Sequence, residues 1–487
     1  MSKPERRHIV IIGAGPGGLC TGIKLKEAGL EDFVILEKGS GVGGTWYHNR
    51  YPGAACDVPS ALYSFSFEVK PDWSRPFGTQ PEILAYMEHT AEKYGLVPHL
   101  RLDTPVQAAR WDDARSLWQV ELDNGDMLEA DVVVSAVGMF NELSWPDLPG
   151  LDQFEGTSFH SARWNHDHDL NGERVAVIGS AASAVQFIPE IAKQTKQLHV
   201  FQRTANWVGP KDDDPFTPEE LEAFRTSPAL MAERRQKVWD NVERMITFDD
   251  PELMQHQAQA VLQSLEQVTD PKVRKALTPT HPFGCKRPLI SNDYYPTFNR
   301  SDVELITDPI REVTRNGVVT ADGKLREVDT LVIATGFQTT RYLSAIEVTG
   351  RDGRRLDDAW NDGAQAYLGI TTAGFPNLFM LYGPNTNNGS IIWMIERQVA
   401  FALRQIQRLE SEKLAWLDIR RDVQDAYNES LQRDIDGVEV WQADCNGYYR
   451  VGSRIVTQWP HGMAEFEKRT THVDPDAFEV RPAGATR

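Results

Sequence analysis

Two glycine-rich turns carry most of the chemistry legible in this sequence. The first, Gly13-Ala14-Gly15-Pro16-Gly17-Gly18, has the spacing G-x-G-x-x-G. Glycines at Gly13, Gly15 and Gly18 allow a sharp turn and a close approach of backbone to a pyrophosphate. A helix opening at that point offers unpaired N–H groups and a partial positive charge. Glu37 follows about 20 residues on, where a carboxylate accepts hydrogen bonds from ribose hydroxyls. The second turn is Gly179-Ser180-Ala181-Ala182-Ser183-Ala184. Ala181 puts a methyl group where the second glycine is usual, so this site is expected to survive with weaker binding. The interval from Gly13 to Glu37 equals that from Gly179 to Arg203, and Gln202, Arg203 and Thr204 stand at the second position. An acid repels a 2′-phosphate, whereas a guanidinium holds it by charge-assisted hydrogen bonds. The first turn is therefore expected to take FAD and the second NADPH rather than NADH, with Lys286 adding positive charge. Two dinucleotide sites in one chain imply electron traffic, with the flavin carrying the difficult chemistry.

Such turns work only between a strand and a helix. His8–Ile12 is a short, β-branched apolar run, as in a strand buried on both faces, and Phe33–Leu36 is a second. Val175–Ile178, a helix to about Gln194 and Leu198–Phe201 repeat the plan. The stretch GVGGTW places Gly44, Thr45 and Trp46 in a loop able to pass near the first cofactor. ADVVVSAVG (Ala130–Gly138) and VDTLVIATG (Val328–Gly336) read as returns of the chain between the folds. Residues 211–280 are amphipathic and highly charged, with helix starts at Thr217-Pro218 and Asp250-Pro251. The expected fold class is α/β, with two Rossmann-like dinucleotide-binding domains and a helical insertion covering the cleft. The expected borders are 1–145 for the first part of the FAD domain and 146–210 for the first part of the NADP domain. The helical insertion takes 211–280, the NADP domain resumes over 281–325, and the FAD domain over 326–487. Trp441, Tyr448, Tyr449 and Trp459 suggest a C-terminal lid over the substrate, or a cover for the FAD domain.

Composition excludes several classes. The net charge of −19 argues against nucleic acid or an anionic membrane surface as the main partner. No stretch approaches the ~20 apolar residues of a spanning helix. The N-terminal apolar run is only strand-length and has no cleavage-site pattern, so no signal peptide is expected. Cys20, Cys56, Cys285 and Cys445 are widely spaced, so neither a disulfide framework nor a zinc site is expected, and a reducing cytoplasm fits. Nor does the tract NHDHD, Asn165–Asp169, suggest a metal site. No oligomeric state can be assigned from the sequence.

One connecting segment is unusual. FEGTSFHSARWN holds Phe154, Gly156, His160 and Trp164 just before the second fold. This F-x-G-x-x-x-H-x-x-x-W pattern resembles the fingerprint of the Baeyer–Villiger monooxygenases, which are class B flavoprotein monooxygenases. The resemblance extends over GGTWYHNRYPGAACDVPS, FQRTANW, PFGCKRPLISNDYYPTFNR, ATGF and GFPNLFMLYGPNTN, and thins through the helical insertion and after about residue 435. Asn165 departs from the proline or aspartate usual after the tryptophan.

The resemblance implies a linker between two moving domains, with His160 tied to backbone or cofactor and the aromatics anchoring it. It implies conversion of a ketone to an ester or lactone by a flavin peroxide formed from FAD, NADPH and O₂. Arg287 would stabilise the negative charge of that reaction, and Asp57 would orient Arg287. Lys286 would contact the 2′-phosphate of NADPH. Arginine suits a fixed positive charge because it stays protonated in a protein. Asn385 and Asn387, in GPNTNNGS, and Gln80 are candidates to face the flavin ring. Oxygenation of sulfur or nitrogen is the nearest alternative. A flavin disulfide reductase needs a closely spaced cysteine pair, which is absent. A non-catalytic FAD- or NADPH-binding sensor is disfavoured by Arg287, Asp57 and Arg203.

Overall fold

The computed structural model describes residues 5–443, 449–472 and 474–484. Two sheets organise the chain. The first runs in the order 347–349, 106–112, 117–122, 127–135, 5–12, 33–36 and 100–101, with Leu378–Met380 added against Met127–Ser135. Glu5–Ile12 lies parallel to both Phe33–Leu36 and Met127–Ser135. The second sheet is wholly parallel: 303–306, 197–201, 174–178, 330–333 and 157–160. Its central strands are buried on both faces; Val175, Ala176, Val177, Leu331, Val332 and Ile333 are fully enclosed. Each of the valine, leucine and isoleucine side chains contributes about 1.5–3 kcal/mol by burial. That explains why these strands read as unbroken apolar runs.

Two segments join the sheets, and they run side by side. Ser144 N–H donates to the Gly336 carbonyl at 2.8 Å, Gln338 N–H to the Glu142 carbonyl at 2.9 Å, and the Thr335 hydroxyl to the Ser144 carbonyl. Leu143 and Phe337 form an antiparallel bridge. Thr330–Ile333 lies beyond the expected border at 326, yet it is hydrogen-bonded on both sides into the second sheet. The chain therefore returns to the first fold only after this strand, whose parallel register to Arg174–Ile178 the second fold requires.

The helical insertion comprises Pro218–Thr226, Pro228–Ile246, Pro251–Leu265 and Pro271–Leu277. All four open on proline, and the side chains of Thr217, Ser227, Asp250 and Asp270 cap them. The insertion bridges the two folds. Arg235 donates to the carbonyls of Ala61 and Ser64 in the first fold. Val261 and Leu265 belong to elements packed on the second. Among the described residues, no helix is long and apolar enough to cross a membrane.

Three expectations are corrected here. Cys285 is disulfide-bonded, while Cys20 and Cys56 are free and buried; Cys445 lies outside the described residues. The described C-terminal residues cover the first fold rather than line the cavity. Trp459 is fully buried and, with Trp441, Tyr449, Ile455 and Met463, completes the core of the first fold; Tyr448 lies outside the described residues. The fingerprint segment is no free linker. Thr157–His160 is the edge strand of the second sheet, followed by a tight turn over Ser161–Arg163.

Candidate active site

Both glycine turns adopt the same backbone. Gly13 and Gly179 have φ of 105° and 114°, open to glycine at little cost. A Cβ at Gly13 would lie 2.6 Å from the Ala136 carbonyl oxygen, and one at Gly179 would lie 2.4 Å from that of Ala334. The helices that follow, Pro16–Glu27 and Ala182–Ile191, have no side-chain cap and no acid in the first turn. Their first N–H groups lack intrahelical partners. Such ends suit a phosphate, in contrast to the four capped helices of the insertion.

A cavity of about 500 Å³ starts at the first turn and runs between the folds. Gly13, Gly15, Glu37, Gly44, Thr45 and Trp46 line one end. The loop carrying Gly44 crosses directly over the first turn, with Gly43 N–H donating to the Ala14 carbonyl at 3.0 Å. Gly18 lies beneath the turn rather than in the lining, where a Cβ would come within 1.9 Å of the Gly13 carbonyl oxygen. The Glu37 carboxylate is buried and accepts from the N–H groups of Ala14 at 2.8 Å and Gly39 at 2.7 Å. Each oxygen keeps a further lone pair for a hydroxyl.

Asp57 and Arg287 line the middle of the cavity. Their contact is bidentate: Arg287 Nε donates to Oδ2 and Nη2 to Oδ1 of Asp57, both at 2.8 Å. Burial opposes ionisation of Asp57, but the Arg287 charge and its hydrogen bond prevail, and the carboxyl is held below the usual range. The result is a rigid, permanently charged guanidinium on the cavity wall. Nearby, the Trp46 indole N–H donates to the Tyr63 hydroxyl at 3.0 Å, and Gln80 donates to the Trp46 carbonyl at 2.6 Å. Gln80 thus supports Trp46 from outside the lining.

The second fold closes on this region through residues that carried no local signal. Tyr51 donates to Gln186 Oε1, and Gln186 Nε2 donates to the Ala55 carbonyl, both at 2.9 Å. Tyr51 also meets Ser183. These partners are far apart in sequence, so no spacing pattern could have revealed them. Ser180 is buried, and its carbonyl accepts from Asn206 at 2.9 Å. Gly179, Arg203, Thr204 and Lys286 stand outside the cavity, on the second fold's own face. Neither Arg203 nor Lys286 makes an ion pair among the described residues. Lys286 sits below its usual pKa because of burial and the neighbouring Arg203 charge.

Asn385 does not face the cavity. Its amide donates to the carbonyls of Ile455 at 2.9 Å and Gln458 at 3.0 Å, and Asn387 donates to Gln458 Oε1 at 2.6 Å. Both asparagines pin the C-terminal segment, because that segment's carbonyls are buried and need donors.

His160 ends the edge strand and is 2% exposed. Its Nδ1 accepts from Ala162 N–H at 3.1 Å, and Trp145 packs edge-on at 5.5 Å. Burial and then Arg163 depress its pKa, while the backbone at Ser144 and Gly336 favours the charged form. His160 thus packs where the two connecting segments pair at Ser144 and Gly336. Gly156 lies against the Asp329 carbonyl and the Phe154 ring, and Trp164 packs on Phe187 at 5.3 Å.

A charged cleft between two dinucleotide folds defines a two-cofactor oxidoreductase. Residues 10–241 match the family model for pyridine nucleotide-disulphide oxidoreductases. A Baeyer–Villiger monooxygenase of Pseudomonas aeruginosa is 42% identical over 97% of this chain and 92% of its own length. Another, of Streptomyces coelicolor, is 42% identical over 100% of this chain and 96% of its own. The closed crystal structure of cyclohexanone monooxygenase superposes with a TM-score of 0.90 at 31% identity, covering 99% of this chain and 100% of that one. An oxidised steroid monooxygenase bound to NADP gives 0.86 at 32% identity, covering 98% and 100%. The chain belongs to the Baeyer–Villiger monooxygenase family.

Proposed function

We propose that this chain is an FAD- and NADPH-dependent Baeyer–Villiger monooxygenase that uses O₂ to convert ketones to esters or lactones. The observation that carries this reading is the bidentate Arg287–Asp57 pair in the cavity between the two glycine turns. The residues present fit both cofactors. Uncapped helix ends and glycines that no Cβ could replace suit the two pyrophosphates, Glu37 suits the FAD ribose, and Arg203 with Lys286 suits a 2′-phosphate. When bound, the flavin accepts hydride from NADPH and activates oxygen for insertion beside a carbonyl.

This chain's own residues then position and stabilise. Arg287 holds a fixed positive charge where negative charge develops on the substrate oxygen, and needs no reorganisation because Asp57 clamps it. Asp57 stays ionised and accepts both hydrogen bonds, so it does not compete for the proton. Trp46, Val58, Tyr63, Leu381, Ile391 and Ile395 give this region apolar walls that exclude water and strengthen the guanidinium's field. Tyr51, Ser183 and Gln186 hold the second fold against this wall. His160 and Trp164 fix the crossing point about which the folds shift.

The test is product analysis with FAD-loaded protein, NADPH and a panel of linear, cyclic and aryl ketones beside sulfides and amines. One ester or lactone per NADPH consumed, with at least one ketone, is expected. Hydrogen peroxide as the sole oxygen product with every ketone would overturn the reading.

A further inference from the structure

The second fold carries a basic cluster with a third member that neither turn predicts. Beyond Arg203 the chain zips onto the strand returning from the helical insertion. Val208 and Gly209 pair in parallel with Leu289 and Ile290, and Leu289 N–H donates to the Trp207 carbonyl at 2.8 Å. The Trp207 indole N–H donates to the His281 carbonyl at 2.9 Å, and Phe283 packs edge-on against the same ring at 5.5 Å. This pairing brings the segment of His281 and Lys286 alongside the stretch that follows Arg203.

Among the described residues no ion pair joins Arg203, Lys286 or His281 to an acid. Arg203 acts electrostatically on Lys286, and Lys286 on His281. Lys286 is the one charged group acting on the imidazole among the described residues, and the Trp207 and Phe283 rings packed at its segment carry no charge. Both ring nitrogens of His281 are shielded from solvent and lack hydrogen-bond partners. Burial, then Lys286, keeps the ring below its usual pKa, so it is neutral near pH 7. An imidazole with two unmet polar atoms beside two unpaired cations is costly unless an anion completes it.

We propose that His281 is a specificity-determining residue of the nicotinamide cofactor site, taking a proton from solvent as the 2′-phosphate of NADPH joins Arg203 and Lys286. The inference rests on the reading of the second fold as the NADPH site. A phosphate dianion favours the imidazolium, so the pKa of His281 rises on binding. Affinity gained in this way is full at low pH and is lost as pH rises through the bound-state value. The phosphate's own second ionisation, near pH 6, runs the other way and is nearly complete by about pH 7. NAD⁺ has no such phosphate and should show neither effect.

The experiment is calorimetric titration of the FAD-loaded enzyme with NADP⁺ and with NAD⁺. It is run in buffers of different ionisation enthalpy, from about pH 7 to about pH 9. NADP⁺ binding should take up a fraction of a proton near pH 7 and weaken about three- to tenfold across the range. His281→Asn should abolish proton uptake and flatten the pH dependence, with NAD⁺ binding unchanged. His281→Lys should hold NADP⁺ at the upper pH as tightly as the wild type does at the lower. The wild-type proton count needs no variant to fold. No proton uptake by the wild type, or an unchanged pH slope in His281→Asn, overturns the proposal. Equal wild-type affinity for NADP⁺ and NAD⁺ would overturn the cofactor assignment itself, and the proposal with it.

Discussion

The two nucleotide folds share a backbone and differ in the room and charge they leave. In each, the first glycine donates to the last residue of the second strand, Leu36 at 2.7 Å and Phe201 at 3.1 Å. In each, the residue after the return strand donates back to the first strand, Ala136 to Ile12 and Ala334 to Ile178, both at 2.8 Å. Yet Gly18 leaves no space for a methyl group, whereas Ala184 occupies the matching place with its methyl buried. Glu37 follows the second strand of the first fold as a carboxylate held by two N–H groups. In the second fold the matching residue is Gln202, neutral and buried, with the exposed Arg203 next. The comparison separates two determinants. The strand–turn–helix connection fixes the phosphate cradle, and the end of the second strand chooses the ribose.

The largest expected effect breaks the equivalence of the turns. Gly18→Ala drives its Cβ into the Gly13 carbonyl, and should cost about 3 kcal/mol or more and strip the flavin. Ala184→Gly at the matching place should cost about 1 kcal/mol and keep the flavin. Flavin content and thermal midpoint of the two variants decide this. Next comes the pair between the folds. Arg287→Ala should lower kcat for ketone oxidation by about 10²–10³-fold while both cofactors still bind. Because the Asp57 pKa is depressed, the pair is intact above the usual carboxylate value and is lost only as pH falls through the lower, folded-state value. The pH profile of kcat/KM should therefore show no loss from this pair between about pH 8 and about pH 5. The smallest effect sharpens the ribose comparison. Arg203→Ala should weaken NADP⁺ binding about tenfold and leave NAD⁺ unchanged, by fluorescence titration; the guanidinium is exposed, so solvent screens part of its contribution.

The strands, turns and charged pair were legible because each depends on local pattern: apolar runs, glycine spacing and a matched motif around Asp57 and Arg287. The equal interval from Gly13 to Glu37 and from Gly179 to Arg203 misled by one residue. The pairings of Ile12 with Leu36 and of Ile178 with Phe201 show that the second strand ends one residue sooner in the second fold. Thr217-Pro218 and Asp250-Pro251 mark two helices of the insertion, and Ser227-Pro228 and Asp270-Pro271 carry the same cap-and-proline signal for the other two. Asn385 looked like a cofactor ligand because it stands in a glycine-flanked loop. Its donors instead satisfy carbonyls some 70 residues away, a demand that no local pattern shows. His281 was illegible for the same reason, since its neighbours meet it only through the Val208–Leu289 pairing.

The side-by-side crossing at Ser144 and Gly336 also sets an order of assembly. The first sheet is finished by Leu378–Met380 pairing with Met127–Ser135, across nearly all of the second fold and the helical insertion. The ribosome must deliver that whole excursion before the last strand exists. The second fold, whose five strands all lie between 157 and 333, can collapse first as a closed loop. Its collapse brings Ser144 and Gly336 together and shortens the loop that the late strand must close. The guest thus acts as the template on which its host completes itself.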